Sequence, residues 1–197
     1  LYGPGYGSLY EHYALPYFAM ARFGIWDKIL DEPKPDDELV FPNAIWHYAR
    51  GLAYVRNGNI ESARNEVNSL KNMNKRETLQ EMGIGGINMT GNVIQIAINT
   101  LSAEILAEEN NYSDAIELLR EAVGLQDNLG YHEPPAWYMP VRQALGAILL
   151  EAGKAREAEE VYREDLEDWP ENGWSLFGLY QALKEQGNDS EAEEVYN

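Results

Sequence analysis

Cysteine is absent from this 197-residue chain, and its absence excludes several classes of site at once. Without thiols the chain forms no disulfide, no thiolate zinc site, no iron–sulfur cluster and no cysteine nucleophile. No apolar run approaches the ~18 residues that a membrane-spanning helix needs. No two-residue alternation of apolar and polar residues, typical of a half-buried strand, persists along the chain. The sequence therefore predicts an all-α protein without a membrane span.

Basic residues are also scarce. The chain has 15 lysines and arginines against 33 aspartates and glutamates, which gives a formal net charge of −18. Residues 1–100 carry only −2 of this charge, whereas residues 101–197 carry −16. Such a surface repels a nucleic-acid backbone and an anionic membrane, so neither is expected as a partner. A basic partner and a merely solvated acidic face are the two interpretations that remain.

The sequence also repeats itself. A residue that is small in three of four copies is followed seven positions later by Gly or Asn, and five positions after that by Ala. These copies are Gly51, Gly58, Ala63; Ala103, Asn110, Ala115; Gly146, Gly153, Ala158; and Tyr180, Gly187, Ala192, with a weaker upstream copy in Tyr17, Gly24, Ile29. Gly and Asn tolerate the left-handed backbone that ends a helix, and Ala permits a close helix crossing. Each copy therefore predicts two helices joined by a tight turn.

The intervals between the last residues of successive copies are 34, 52, 43 and 34 residues. Two of them equal the 34-residue period of the tetratricopeptide repeat, a helix–turn–helix unit. The other two carry insertions. The predicted units are residues 8–31, 43–73, 92–125, 135–168 and 172–197, and the predicted insertions are residues 74–91 and 126–134. In the fourth unit the first helix is predicted to begin at residue 135.

These repeats make the chain resemble the tetratricopeptide-repeat family over nearly its whole length. The stretches FGIWDKIL, AIWHYARGLA, EPPAWYMPVRQALGAILLEAG and VYREDLEDWPENGWSLFGLYQAL are similar to the C-terminal part of larger, mostly uncharacterised bacterial members. The tryptophan expected early in a unit is displaced, since Trp46 and Trp174 lie one or two residues from that position. The resemblance implies a right-handed α-solenoid of about five antiparallel helix pairs, with a concave groove lined by the first helix of each pair. It implies no reaction.

Repeat geometry also predicts which side chains of the first helices face the groove. These positions are Tyr48, Leu52, Arg56, Thr100, Glu104, Glu108, Gln143, Ala147, Glu151, Phe177, Gln181 and Glu185. The set is mixed and acidic. One subclass of the family clamps a C-terminal carboxylate with Lys, Arg and Asn side chains, but the corresponding positions here are Tyr48, Leu52, Leu101, Pro140 and Ala144. A basic or aromatic-rich peptide is therefore the expected partner of a non-catalytic scaffold. The alternative is that several of these side chains simply pack against the next unit.

Two other functions stay open. A small-molecule or metal-binding protein, possibly enzymatic in a longer parent chain, would use the histidine and aromatic residues. The members of this cluster are Tyr13, His47, His132, Trp137, Tyr138 and Arg142. No two histidines have the i, i+4 spacing that places both on one helix face, so neither a metal nor a cofactor is predicted. Aromatic packing between repeats is the simpler account of these rings. Self-assembly is the third interpretation, because solenoids without terminal caps stack end to end.

Overall fold

The computed structural model describes residues 7–76, 83–84, 87–133 and 135–196. In these ranges ten α-helices account for nearly all of the regular structure. Two strands of two residues each, β1 (Gly83–Ile84) and β2 (Asn88–Met89), form a small antiparallel ladder. The predicted all-α class is confirmed. None of the described helices is long and apolar enough to cross a membrane.

The ten described helices are numbered in chain order. Their bounds are α1 Gly7–Arg22, α2 Trp26–Asp31, α3 Val40–Arg56, α4 Ile60–Asn74, α5 Thr90–Glu108, α6 Tyr112–Asp127, α7 Val141–Glu151, α8 Ala155–Asp168, α9 Gly173–Glu185 and α10 Asp189–Tyr196. Part of the predicted insertion 74–91, namely residues 77–82 and 85–86, lies outside the described residues. The rest of that insertion contains the β1–β2 ladder.

The start of α7 differs from its predicted position. The sequence placed the beginning of this helix at residue 135, but α7 begins at Val141 and Pro140 is its N-cap, with an extended ψ of 122°. A proline disfavours the helical conformation at the residue before it, so Met139 cannot easily continue a helix into Pro140. The Val141 N–H instead donates to Gln126 Oε1 (2.8 Å). The connection between α6 and α7 is therefore residues 128–140.

The turns within the helix pairs agree with the repeat pattern. Gly24, Gly58, Asn110, Gly153 and Gly187 have a positive φ of 66°, 71°, 61°, 71° and 78°. The residues five positions later are all completely buried, and they are Ile29, Ala63, Ala115, Ala158 and Ala192. After each left-handed residue, the next backbone N–H donates to a carbonyl in the last turn of the preceding helix, as in Lys154 N–H to Leu149 O (2.8 Å). This is the Schellman arrangement that ends a helix, and it confirms the predicted register.

Successive helices pack against one another along the chain. In addition, α1, α3, α5, α7 and α9 pack against each other in that order. Glycines allow some of these contacts: a Cβ added to Gly51 of α3 would lie 2.2 Å from Leu101 Cδ2 of α5. The ring of Tyr162 in α8 fits against Gly146 of α7 and Gly178 of α9 in the same way. Interiors this dense have no spare volume for an added methyl group.

The first helix also contacts the far end of the array. Arg22 Nη1 donates to Gln143 Oε1 of α7 (2.5 Å), although the two residues are 121 positions apart. The Arg22 guanidinium carbon lies 3.7 Å from the ring centroid of Trp174 in α9. In an open solenoid each repeat contacts only its neighbours. This array is therefore more closed than its repeats alone predict.

The inserted connections before α5 and before α7 are joined by hydrogen bonds of Asn88. Asn88 Nδ2 donates to Gly130 O (3.0 Å), and the Gly130 N–H donates to Asn88 Oδ1 (2.7 Å). Trp137 is only 3% exposed. Its ring lies 5.3 Å from that of Phe18 in α1 and 5.0 Å from that of Tyr48 in α3, centroid to centroid. The 128–140 connection thus contributes a core residue between α1 and α3.

Candidate functional site

A cavity of about 250 Å³ lies where α1, α3, α5, α7 and α9 meet. Seven of the predicted groove residues line it, namely Tyr48, Leu52, Arg56, Thr100, Glu104, Gln143 and Ala147. Tyr48, Thr100 and Gln143 occupy the same position in three successive repeats. Their convergence on one cavity follows from the shared register of α3, α5 and α7. We call this cavity and its lining the groove cavity.

The other predicted groove residues do not line the groove cavity. Glu108, Glu151, Phe177, Gln181 and Glu185 are solvent-exposed beyond it. Glu108 still contacts the lining, because its Oε1 lies 3.5 Å from Arg56 Nη1. Phe177 stacks on Tyr180 with ring centroids 6.2 Å apart. The charges of Glu108 and Glu151 both act on Glu104, so these two carboxylates form an acidic border of the groove cavity.

Sequence reasoning missed several lining residues, among them Arg22, Trp26 and Trp174. Arg22 could have been found. Arg22 lies two positions before the turn residue Gly24, just as Arg56 lies two positions before Gly58. Applying the groove positions of the second unit to the first unit therefore predicts Arg22 as a lining residue. Trp174 reaches the groove cavity from the start of α9, outside the three positions used for prediction. Its nearness to the tryptophan position expected early in a unit does not assign its side chain to the groove.

An ion pair forms one wall of the groove cavity. Arg56 Nη2 lies 2.7 Å from Glu104 Oε2, and the Glu104 side chain is only 13% exposed. Burial raises the pKa of Glu104, Arg56 opposes that effect, and the negative charge of Glu151 adds to it. Because the pKa is raised despite the ion pair, burial destabilises the ionised carboxylate more than Arg56 stabilises it. The charges of Glu108 and Glu151 act on Glu104 in the same direction as burial, so three carboxylates lie around the one arginine of this wall.

A second polar network forms the opposite wall. Gln143, which accepts the hydrogen bond from Arg22, donates through Nε2 to Asp165 Oδ2 (3.1 Å). Ser175 Oγ donates to the same oxygen (2.5 Å). Asp165 is 2% exposed. Burial lowers the pKa of Arg22, and the charge of Asp165 opposes that effect. Gln143 therefore links the guanidinium to a buried carboxylate.

One polar atom of the lining lacks a partner. Thr100 is 4% exposed, and its Oγ1 makes no hydrogen bond. Buried polar atoms in folded proteins nearly always have a partner. The aromatic rings of Tyr48, Trp26 and Trp174 line other parts of the same cavity. The groove cavity thus combines apolar faces with a few charged and polar groups, as ligand sites generally do.

The alternative ligand cluster is not assembled in the structure. Trp137 is a core residue, and Tyr138 packs on Phe18 with ring centroids 5.2 Å apart. Arg142 forms two hydrogen bonds with the carboxylate of Asp127. His132 and Trp137 line one cavity of about 160 Å³, whereas Tyr13 is exposed and His47 bonds to Glu66. Within the described ranges no group of three His, Asp or Glu side chains is placed to hold a metal ion.

Comparison of the chain with family models, curated proteins and solved structures finds no match. The resemblance to tetratricopeptide repeats therefore rests on the residues of this chain alone.

The raised pKa of Glu104 predicts a pH dependence. The folded state binds more protons than the unfolded state between the ordinary pKa of 4.5 and the raised value, so stability falls as pH rises through this interval. Glutamine cannot ionise. We expect Glu104→Gln to remove this loss, so that its stability relative to wild type is most favourable near neutral pH and least favourable at acidic pH. Urea unfolding of both proteins across this range measures the difference. Glu117→Gln, at an exposed site on α6, is the control, and a difference independent of pH would contradict the expectation.

Proposed function

We propose that this chain is a tetratricopeptide-repeat-like, right-handed solenoid of five antiparallel helix pairs and acts as a non-catalytic scaffold for a protein or peptide segment. The recurrence of a left-handed turn residue and a buried residue five positions later supports the repeat assignment in all five pairs. The packing order of α1, α3, α5, α7 and α9 supports a stack of first helices.

One observation carries the binding proposal: equivalent side chains of three repeats, Tyr48, Thr100 and Gln143, line a single cavity. A volume of about 250 Å³ suits one or two side chains of a bound segment. The unpartnered hydroxyl of Thr100 offers a hydrogen bond inside it. We infer that an extended segment crosses the groove cavity and inserts a side chain there.

The chemistry around the groove cavity favours a basic, aromatic-containing segment. Arg56 pairs with two carboxylates, Glu104 and Glu108, and the charge of Glu151 also acts on Glu104. The other arginine of the lining, Arg22, is linked through Gln143 to the buried carboxylate of Asp165. Neither α5 nor α7 has a basic residue in its last turn, so Glu108 and Glu151 add to the negative ends of the helix dipoles. The ring of Trp26 provides a face on which a guanidinium or another aromatic ring can stack, as the Arg22 guanidinium already does on Trp174. An acidic segment would meet repulsion at this border.

The test uses two synthetic peptides of equal length. One alternates Arg or Lys with Tyr, and the other has Glu in place of every basic residue. The groove variant combines Glu104→Gln, Glu108→Gln and Glu151→Gln. We expect fluorescence polarisation to show binding of the basic peptide alone, and the groove variant to bind it at least ~10-fold more weakly. Salt at ~0.5 M, where exposed charges are screened within a few ångströms, should weaken wild-type binding as well.

A matched control separates the groove from general attraction to an acidic protein. Glu117→Gln, Glu167→Gln and Glu194→Gln together remove the same number of charges from exposed positions on α6, α8 and α10. This variant should bind the basic peptide within ~2-fold of wild type. Equal weakening by the two triple variants would show that peptide binding depends on the net charge of the protein and not on the groove. Light scattering on the same samples separates peptide binding from self-association.

A further inference from the structure

A second polar cavity lies away from the groove cavity. Its volume is about 240 Å³, and it lies between α3, the end of α4 and the connector formed by residues 32–39. Its lining includes Lys34, Asp37, Asn43, His47, Ser69 and Arg76. We call it the connector cavity. None of these residues belongs to the groove lining.

A network of charged groups holds the ring of His47 in place. Its Nδ1 lies 2.5 Å from Glu66 Oε2, and Arg50 Nε donates to the other carboxylate oxygen (3.1 Å). Arg50 is fixed in turn, because Nη1 donates to Leu30 O (3.0 Å) and Nη2 to the Tyr54 hydroxyl (2.7 Å). The His47 and Glu66 side chains are both largely buried. Since Nδ1 is engaged, Nε2 is the ring nitrogen that remains for a ligand.

Asn43 presents an acceptor without a donor. It is 3% exposed, and its Nδ2 donates to Asp36 O (2.6 Å) and Leu39 O (3.0 Å). These two bonds fix which end of the amide faces the connector backbone. The Oδ1 atom is buried and has no hydrogen-bond partner. A buried carbonyl oxygen of this kind calls for an N–H or O–H donor from a molecule in the cavity.

Two cations and one carboxylate lie at the rim of the connector cavity. The Lys34 ammonium forms an ion pair with Asp37. The hydrogen bond and charge of Lys34 lower the pKa of Asp37, and the charge of Arg76 lowers it further. Among the charged side chains of the lining, Lys34 and Arg76 thus outnumber Asp37, although the chain as a whole has a net charge of −18.

We propose that the connector cavity binds a small polyhydroxylated anion, of the class of sugar phosphates and sugar acids. The anionic group meets Arg76 and Lys34, one hydroxyl donates to Asn43 Oδ1, and another contacts His47 Nε2. Ser69 and Asn72, which also line the cavity, are further hydrogen-bonding groups for a polyol. This site does not depend on the peptide-binding role of the groove cavity.

Four probes separate the two parts of the ligand. Calorimetric titration and ¹H–¹⁵N spectra would be recorded with glucose 6-phosphate, gluconate, glucose and inorganic phosphate. We expect at least one of the two polyol anions to bind ~10-fold more tightly than either glucose or phosphate. Which of the two binds more tightly distinguishes a phosphate from a carboxylate ligand. The amide shifts should cluster around residues 34–47 and 69–76.

The side chains offer matched variants. In His47→Asn the shorter amide can still donate to Glu66 in place of Nδ1, while the Nε2 atom is lost. Arg76→Gln removes a cation from the exposed rim. We expect each change to weaken binding of the tighter polyol anion ~10-fold. Arg64→Gln is the control, because Arg64 is an exposed cation of α4 that pairs with Glu109 outside this cavity. It should change the affinity by ~2-fold or less.

Three results would overturn the proposal. One is that no polyol anion binds, in which case the cavity holds only solvent. Another is that inorganic phosphate binds as tightly as the polyol anions, because Asn43 and His47 would then contribute nothing. The third is equal weakening by Arg64→Gln and Arg76→Gln. If His47→Asn does not fold, Arg76→Gln at the exposed rim decides the matter.

Discussion

Alanine in place of Trp137 is expected to lower the free energy of unfolding by about 3–5 kcal/mol, the usual cost of emptying the site of a buried tryptophan. The ring meets Phe18 edge-on at 90° and Tyr48 at 63°. Its removal leaves a hole between α1, α3 and the 128–140 connection. Urea denaturation of the two proteins measures the loss from the shift in midpoint at constant slope.

Trp169 is the matched control for this experiment. It is the C-cap residue of α8 and is 45% exposed, so Trp169→Ala removes less buried surface. We expect it to cost about 1 kcal/mol or less. Equal losses at the two positions would show that Trp137 is not the core residue described above. Because Tyr48 lines the groove cavity, Trp137→Ala should also weaken binding of the basic peptide.

A single added methyl group at Gly178 is expected to destabilise the protein by about 1–3 kcal/mol through overpacking. The new Cβ would lie 2.1 Å from Tyr162 Cζ. The ring cannot simply move aside, because a Cβ built at Gly146 would lie 2.4 Å from the same atom. Alanine is otherwise the better helix former by ~1 kcal/mol. The packing penalty must therefore exceed a gain in helix propensity.

Gly124→Ala in α6 isolates that gain. No atom lies within 4 Å of a Cβ added at Gly124. The change should raise stability by about 0.5–1 kcal/mol. The two glycine substitutions are thus expected to have opposite signs in the same thermal or urea assay. Stabilisation by both would mean that Tyr162 adjusts freely and that α7, α8 and α9 are not fixed around its ring.

The repeat register was predictable from sequence because its determinants are local. A left-handed turn favours Gly or Asn, and the close helix crossing that follows favours a small side chain. The roles of Gly153 and Ala158 can therefore be predicted without knowledge of the rest of the fold. The convergence of Tyr48, Thr100 and Gln143 followed from the same register. These features depend on helical periodicity alone.

Features that the repeat register does not contain were not predictable from it. The late start of α7 is a local effect of Pro140 that the repeat alignment concealed. The burial of Trp137 needs Phe18 and Tyr48, which belong to other units, and its connection has no counterpart in the repeat. The six residues of the alternative ligand cluster were grouped by type of side chain, without the contacts that place His47 beside Glu66 and Arg142 beside Asp127. The contact of Arg22 with α7 needs the curvature of the whole array.

The contact of Arg22 with α7 limits how far the helix pairs behave as independent units. Repeat arrays ordinarily gain or lose terminal units with little effect on the others, since stability is a sum of neighbour terms. Here the wall of the groove cavity is completed by residues 121 positions apart, so a loop spanning most of the chain must close before the cavity exists. The entropy of that closure grows only slowly with length, but long-range contacts slow folding. We expect helix pairs to form first and the cavity last.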